Sequence, residues 1–122
     1  MPENIPSPEE LDELKDRVIE LLKDHGLFID TCIYVNGDRY RSDEREPEGY
    51  VIDEDCDPGV YFEYVRHDGN IFAMSFEGPL NHVLNGYVRD SGGFVDEFDA
   101  LFAEYGLYYE YGDAWNFSCY PL

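Results

Sequence analysis

Apolar residues recur at helical spacing near both ends of this chain and follow a strand-like rhythm between them. Leu11, Leu14, Val18, Leu21 and Leu22 stand three and four residues apart, which makes one apolar stripe on a helix. Ser7 suits an N-cap, Pro8 suits the first helical position, and Glu10 completes a capping box with Ser7. Gly26 suits the left-handed residue that ends a helix. The pattern predicts a helix over 8–25, with Glu9, Asp12, Glu13, Asp16 and Glu20 on its polar face. A second stripe runs through Phe94, Val95, Phe98, Leu101, Phe102 and Tyr105, with Asp96, Glu97, Asp99 and Glu104 outside it and Gly106 at its end.

Between these helices the text changes period. Residues 27–35 are rich in β-branched and aromatic types, and Asn36-Gly37 follows, the strongest short signal for a type I′ hairpin, with 38–42 as the return strand. Residues 43–49 and 53–59 read as polar loops around a short strand at 50–52. Residues 60–67 and 70–77 flank Asp68-Gly69 and predict a second hairpin, and 107–111 with 114–120 predict a third across Gly112-Asp113. Pro79 predicts a short helix through Leu84.

Shifting the chain by 80 residues lays the end of one helix on the other: 21–28 over 101–108, and Leu14 and Val18 over Phe94 and Phe98. Two α-β-β units sharing one sheet would give this match; so would the likeness of any two helix–glycine–strand junctions. Either way the expected fold is α+β: an antiparallel sheet built from hairpins, with two amphipathic helices on one face. The expectation is a single domain over 1–122, with 1–6 as a tail.

Composition sharpens the picture. The 122 residues are 43% hydrophobic, enough apolar surface to exclude simple disorder. Asp and Glu number 28 against 8 Lys and Arg, a net charge of −20. That charge excludes direct electrostatic binding to DNA, RNA or an anionic membrane. No apolar run is long enough to span a bilayer, and the first residues, MPENIPSPEELDEL, lack the basic and apolar regions of a signal peptide. Cys32, Cys56 and Cys119 are few, odd in number and widely spaced, which suits a cytoplasmic protein. Cys32 and Cys119 are expected to be buried free thiols.

Signals for chemistry are weak. Asp53, Asp55 and Asp57 alternate as in a calcium loop, but Pro58 stands where the loop needs glycine and Tyr64 where it needs a bidentate Glu. His25, His67 and His82 form no metal-binding pair. His82, beside Asn81 and Asn85, is the histidine best placed to act as a base. No nucleophile elbow, P-loop or dinucleotide fingerprint is present. Among 28 acidic residues chance carboxylate pairs are certain, so they single out no acid–base site. The expectation is a protein with no catalysis, no metal and no cofactor.

The layout of the charge is more informative. Asp43, Glu44, Glu46, Glu48, Asp53, Glu54, Asp55 and Asp57 crowd residues 43–57 against Arg45 alone, and no Lys or Arg follows Arg89. Solubility needs a net charge of only about 2–8. Duplex DNA carries about one charge per 1.7 Å, so twenty charges match roughly 34 Å of duplex. In size and charge the chain resembles DNA-mimic inhibitors, such as phage anti-restriction and anti-CRISPR proteins, and acidic immunity proteins that block nuclease toxins. The resemblance rests on no motif. It implies an inhibitor that occupies the basic site of a nuclease or another nucleic-acid-binding protein. The expected contact residues are those eight acids together with Asp96, Glu97 and Asp99 of the second helix.

The aromatic content fits an interface as well. Eleven tyrosines are many, and Tyr108, Tyr109 and Tyr111 must fall on both faces of one strand. A two-sided sheet or a homodimer would cover them equally well. Two other readings stand beside mimicry. A salt-adapted or housekeeping domain would spread its charge evenly, and two lysines against six arginines suits that habit. A small metal-dependent enzyme would use the 53–57 carboxylates or His82.

Overall fold

The computed structural model describes residues 6–45, 49–55, 71–86, 93–113 and 115–122. Helix α1 spans Pro8–Asp24. The expected capping box is present: Ser7 Oγ accepts from the Glu10 amide at 3.1 Å, and the Ser7 amide donates to Glu10 Oε1 at 3.1 Å. Strands β1 (Thr31–Val35) and β2 (Asp38–Arg41) form the first hairpin. Its turn residues Asn36 and Gly37 have φ of 54° and 84°, as a type I′ turn requires. Strand β3 is Val51–Asp53, β4 is Phe72–Phe76, and helix α2 is Pro79–Leu84. Helix α3 spans Phe94–Glu104, and β5 (Leu107–Asp113) pairs with β6 (Asn116–Pro121).

The fold is α+β. Six strands form one antiparallel sheet in the order β3-β2-β1-β4-β6-β5. One face of the sheet meets the helices. Ile33, Val35, Phe72, Met74, Phe76 and Phe117 share a single buried cluster with Leu14, Val18 and Leu22 of α1, Leu80 of α2, and Phe94, Phe98 and Phe102 of α3. Aromatic rings dominate it: Phe98 meets Phe102 edge-on at 5.0 Å, Phe102 meets Phe72 at 5.4 Å, and Tyr109 stacks on Phe117 at 4.3 Å. Tyr108 and Tyr111 remain 40% and 47% exposed, so β5 does present rings to solvent.

Three expectations are revised. The strand predicted over 27–35 begins at Thr31, because Asp30 takes a left-handed φ of 50° and Thr31 Oγ1 donates to the Ile29 carbonyl at 2.9 Å. The hairpin across Asp68-Gly69 does not describe β4, whose two edges pair with β1 and β6; the proposed partner at 60–67 lies outside the described residues. The final reversal comes after Asp113 rather than at Gly112-Asp113, with a register shift between Tyr111 and Asp113. The two α-β-β units do share the sheet. Yet the strand that follows the helix lies inside the first unit (β1) and at the sheet edge in the second (β5). No rotation about β4 therefore superposes them in sequence order.

Candidate functional site

Helices α1 and α3 lie side by side and antiparallel. His25, at the end of α1, meets the Phe94 ring at the start of α3 edge-on at 5.0 Å. Toward the other end, Arg17 Nη1 bonds Glu104, and Tyr105 Oη donates to Glu13 Oε1 at 2.6 Å. Apolar stripes point both helices at the sheet, so their polar faces turn to solvent together. On α1 the exposed residues include Glu9, Glu10, Asp12, Glu13, Asp16, Glu20 and Asp24. On α3 they include Asp96, Glu97, Asp99 and Glu104.

Cations are few on this surface. Arg17 is engaged with Glu104 and Tyr105, and Lys23 stands in the last turn of α1. His25 Nε2 lies 4.0 Å from Glu97. Lys15 is buried beneath the surface, its ammonium 4.4 Å from the centre of the Tyr40 ring. It donates to Asp16 at 2.7 Å and to Tyr50 Oη at 3.3 Å, and it pairs with Asp12 at 3.1 Å. Neighbouring carboxylates on one helix repel when they are about 5–6 Å apart. The described residues thus assemble a negative field that the fold itself neutralises only in part.

The acids singled out in the sequence divide into three groups. Asp96, Glu97 and Asp99 lie on the exposed side of α3, with Asp99 accepting a hydrogen bond from Tyr109 Oη. Glu44, Glu54 and Asp55 are exposed near the β3 end of the sheet. Glu46, Glu48 and Asp57 lie outside the described residues.

Asp43 and Asp53 are internally paired instead. Asp53 Oδ2 accepts from Arg39 Nε and Arg41 Nε, both at 2.9 Å. Burial pulls its carboxyl upward, but those two arginines outweigh that and hold it below its ordinary value. Asp43 accepts from the Arg45 side chain and amide, with Arg41 adding its charge, and sits well below the usual carboxylate range. Both acids tie the β2 region together through these arginines.

The acids of α1 were not among the residues expected to make contact, yet they share this surface with those of α3. Helical periodicity placed them on one face, but only tertiary packing sets that face beside α3.

The helix-free face of the sheet has another character. Cys32, Tyr34, Arg39, Arg41 and Ser75 line a cavity of about 340 Å3 there. Burial pushes the Cys32 thiol upward, against a hydrogen bond with Ser75 and the charges of Arg39 and Arg41. Cys119 is buried, as expected, while Cys32 is only half-buried. His82 is exposed in the last turn of α2. Among the described residues, no group of three or more His, Cys, Asp or Glu side chains could hold a metal ion. No helix among them is long and apolar enough to cross a membrane. No protein-family model matches the sequence, and no curated protein or solved structure shows significant similarity to it.

Proposed function

We propose that this protein is an acidic inhibitor that mimics nucleic acid and occupies the basic site of a nuclease or another nucleic-acid-binding protein. It acts by occlusion and electrostatics, without catalysis. One observation carries the reading: α1 and α3 turn their carboxylates to the same side. At 17 residues α1 is roughly 25 Å long, a large part of one duplex turn of about 34 Å. The described arginines Arg39 and Arg41 belong to the opposite face, beside Asp30, Asp53 and Glu77, away from the helix surface. A concentration of carboxylates on the helix surface favours mimicry over even salt adaptation, and it steers a basic partner to the helices.

The test is capture from cells of the source at low salt, comparing the native protein with a Glu9→Lys, Glu20→Lys, Asp96→Lys variant. The expected partner is a nucleic-acid-binding protein, competed by duplex DNA and released by about 0.5 M salt. The variant should lose it while keeping its circular dichroism. Retention by the variant, or indifference to salt and DNA, would overturn the proposal. Reversing Asp43 and Asp53 should weaken capture less, because arginines already neutralise them.

A further inference from the structure

The two-helix surface is interrupted by a groove of about 400 Å3 running between α1 and α3. Leu21 and Leu101 give it an apolar floor, and Glu20, Asp24 and Glu97 stand around it. Arg17 and Glu104 line it too. Resting on the inhibitor reading, we propose that this groove is where an arginine side chain of the partner inserts. Its methylenes would cover Leu21 and Leu101, and its guanidinium would reach Glu20, Asp24 and Glu97.

Charge complementarity and an internal precedent both point to that occupant. Among the described residues, Glu20 and Asp24 have no cation within ion-pairing distance, and the last turn of α1 adds the negative end of its dipole. The protein's own Arg17 already shows the mode. Its Nη1 bonds Glu104 and lies 3.2 Å from Tyr105 Oη, and its guanidinium carbon lies 5.6 Å from the centre of the Tyr105 ring. A guanidinium is planar and weakly hydrated, so it tolerates an apolar floor better than an ammonium does. Arginine is also among the residues that anchor interfaces.

Two measurements test the groove. In the first, the labelled protein is titrated with ethylguanidinium and, separately, with ethylammonium, and amide shifts are followed by NMR. Guanidinium should move Leu21, Glu97, Ala100 and Leu101, with a several-fold smaller response to ammonium. An equal response to both ions, or one just as strong around Glu9 and Asp12, overturns the groove. The second uses Ala100→Phe. Ala100 is exposed and lines the groove, so phenylalanine fills it without changing any charge. The variant should lose the guanidinium response and weaken partner capture by about tenfold; Ala100→Leu serves if the larger ring disturbs folding. If Ala100→Phe captures the partner normally and the triple lysine variant does not, the groove falls and mimicry stands. If neither variant alters capture, the inhibitor reading itself falls.

Discussion

Lys15 lies between Leu14 and Asp16 on α1 with only 3% of its surface exposed, although it is charged. Burial alone would lower its pKa, but hydrogen bonds with Asp16, Asp12 and Tyr50 overcome this and hold it above its ordinary value. The rings of Tyr40 and Tyr50 face its ammonium at 4.4 and 5.1 Å. Asp12 and Asp16 are more than half exposed, so removing the cation returns them to water at little cost. Lys15→Ala should therefore destabilise mainly through lost packing and cation–π contact, by about 1–2 kcal/mol, measured as a lower urea midpoint. Lys15→Met, which keeps the stem, should cost less. The raised pKa also gives a pH signature. A folded-state pKa above the unfolded value of about 10.4 means the stabilisation is complete below that pH and is lost as pH rises. Tyr40 and Tyr109, raised chiefly by burial, act in the same direction. Stability should fall above about pH 10, less steeply in Lys15→Met. A flat alkaline profile in the native protein would contradict this account.

Gly78, at the N-cap of α2, shows how elements are joined where periodicity is silent. Its φ of −90° is open to any residue, so backbone freedom is not the reason for glycine. A β-carbon there would lie 2.2 Å from the Ile29 carbonyl oxygen, a backbone atom. The neighbouring Glu77 amide donates to the Asp30 carbonyl at 3.0 Å and locks the approach. Gly78→Ala should destabilise by about 1–3 kcal/mol, seen as a lower melting temperature. An unchanged melt would show that the segment from Leu27 to Asp30 yields freely. Contacts of this kind also mark what was legible beforehand. The capping box of Ser7 and Glu10, the Asn36-Gly37 turn and the short helix at Pro79 are local and were readable. The place of β4 between β1 and β6 was not, because pairing between segments tens of residues apart leaves no mark on spacing. Nor was the left-handed Asp30 that delays β1, since residues 27–35 have strand-like composition throughout. At the candidate site the polar faces of both helices were visible as a 3.6-residue rhythm. Their adjacency depends on the sheet beneath them, as does the capture of Asp43 and Asp53 by arginines of the β2 region.

At the scale of the molecule the question is what a charge of −20 does to the fold that carries it. Crowded on one side, the carboxylates of α1 and α3 repel one another, and the unfolded chain relieves that repulsion by spreading them out. Salt screens the repulsion over a Debye length of about 10 Å at 0.1 M and about 3 Å at 1 M. Neighbouring acids on a helix surface are roughly 5–6 Å apart, so most of the relief arrives once the screening length approaches that spacing. The exposed pair of Arg17 with Glu104 is weakened by the same screening, but such pairs contribute only about 0–1 kcal/mol. The apolar core should keep the protein folded even at low ionic strength, where this repulsion is greatest. Its melting temperature should climb through the first few tenths molar of potassium chloride and level off before about 1 M. The Glu9→Lys, Glu20→Lys, Asp96→Lys variant should climb less, because the repulsion that salt relieves has already been reduced; its starting point also loses two carboxylates that favour the first turns of α1 and α3. Melts from 10 mM to 2 M chloride on both proteins, on the order of the range that spans both screening regimes, decide the matter. A chain that folds only in molar salt, with no difference between native protein and variant, would make the charge a solvation device. The acidic helix surface would then lose its meaning as a binding face. A native protein that gains its stability early and loses that gain when three carboxylates are reversed carries a concentrated field at a cost to its own fold, the thermodynamic counterpart of a surface shaped for a basic partner.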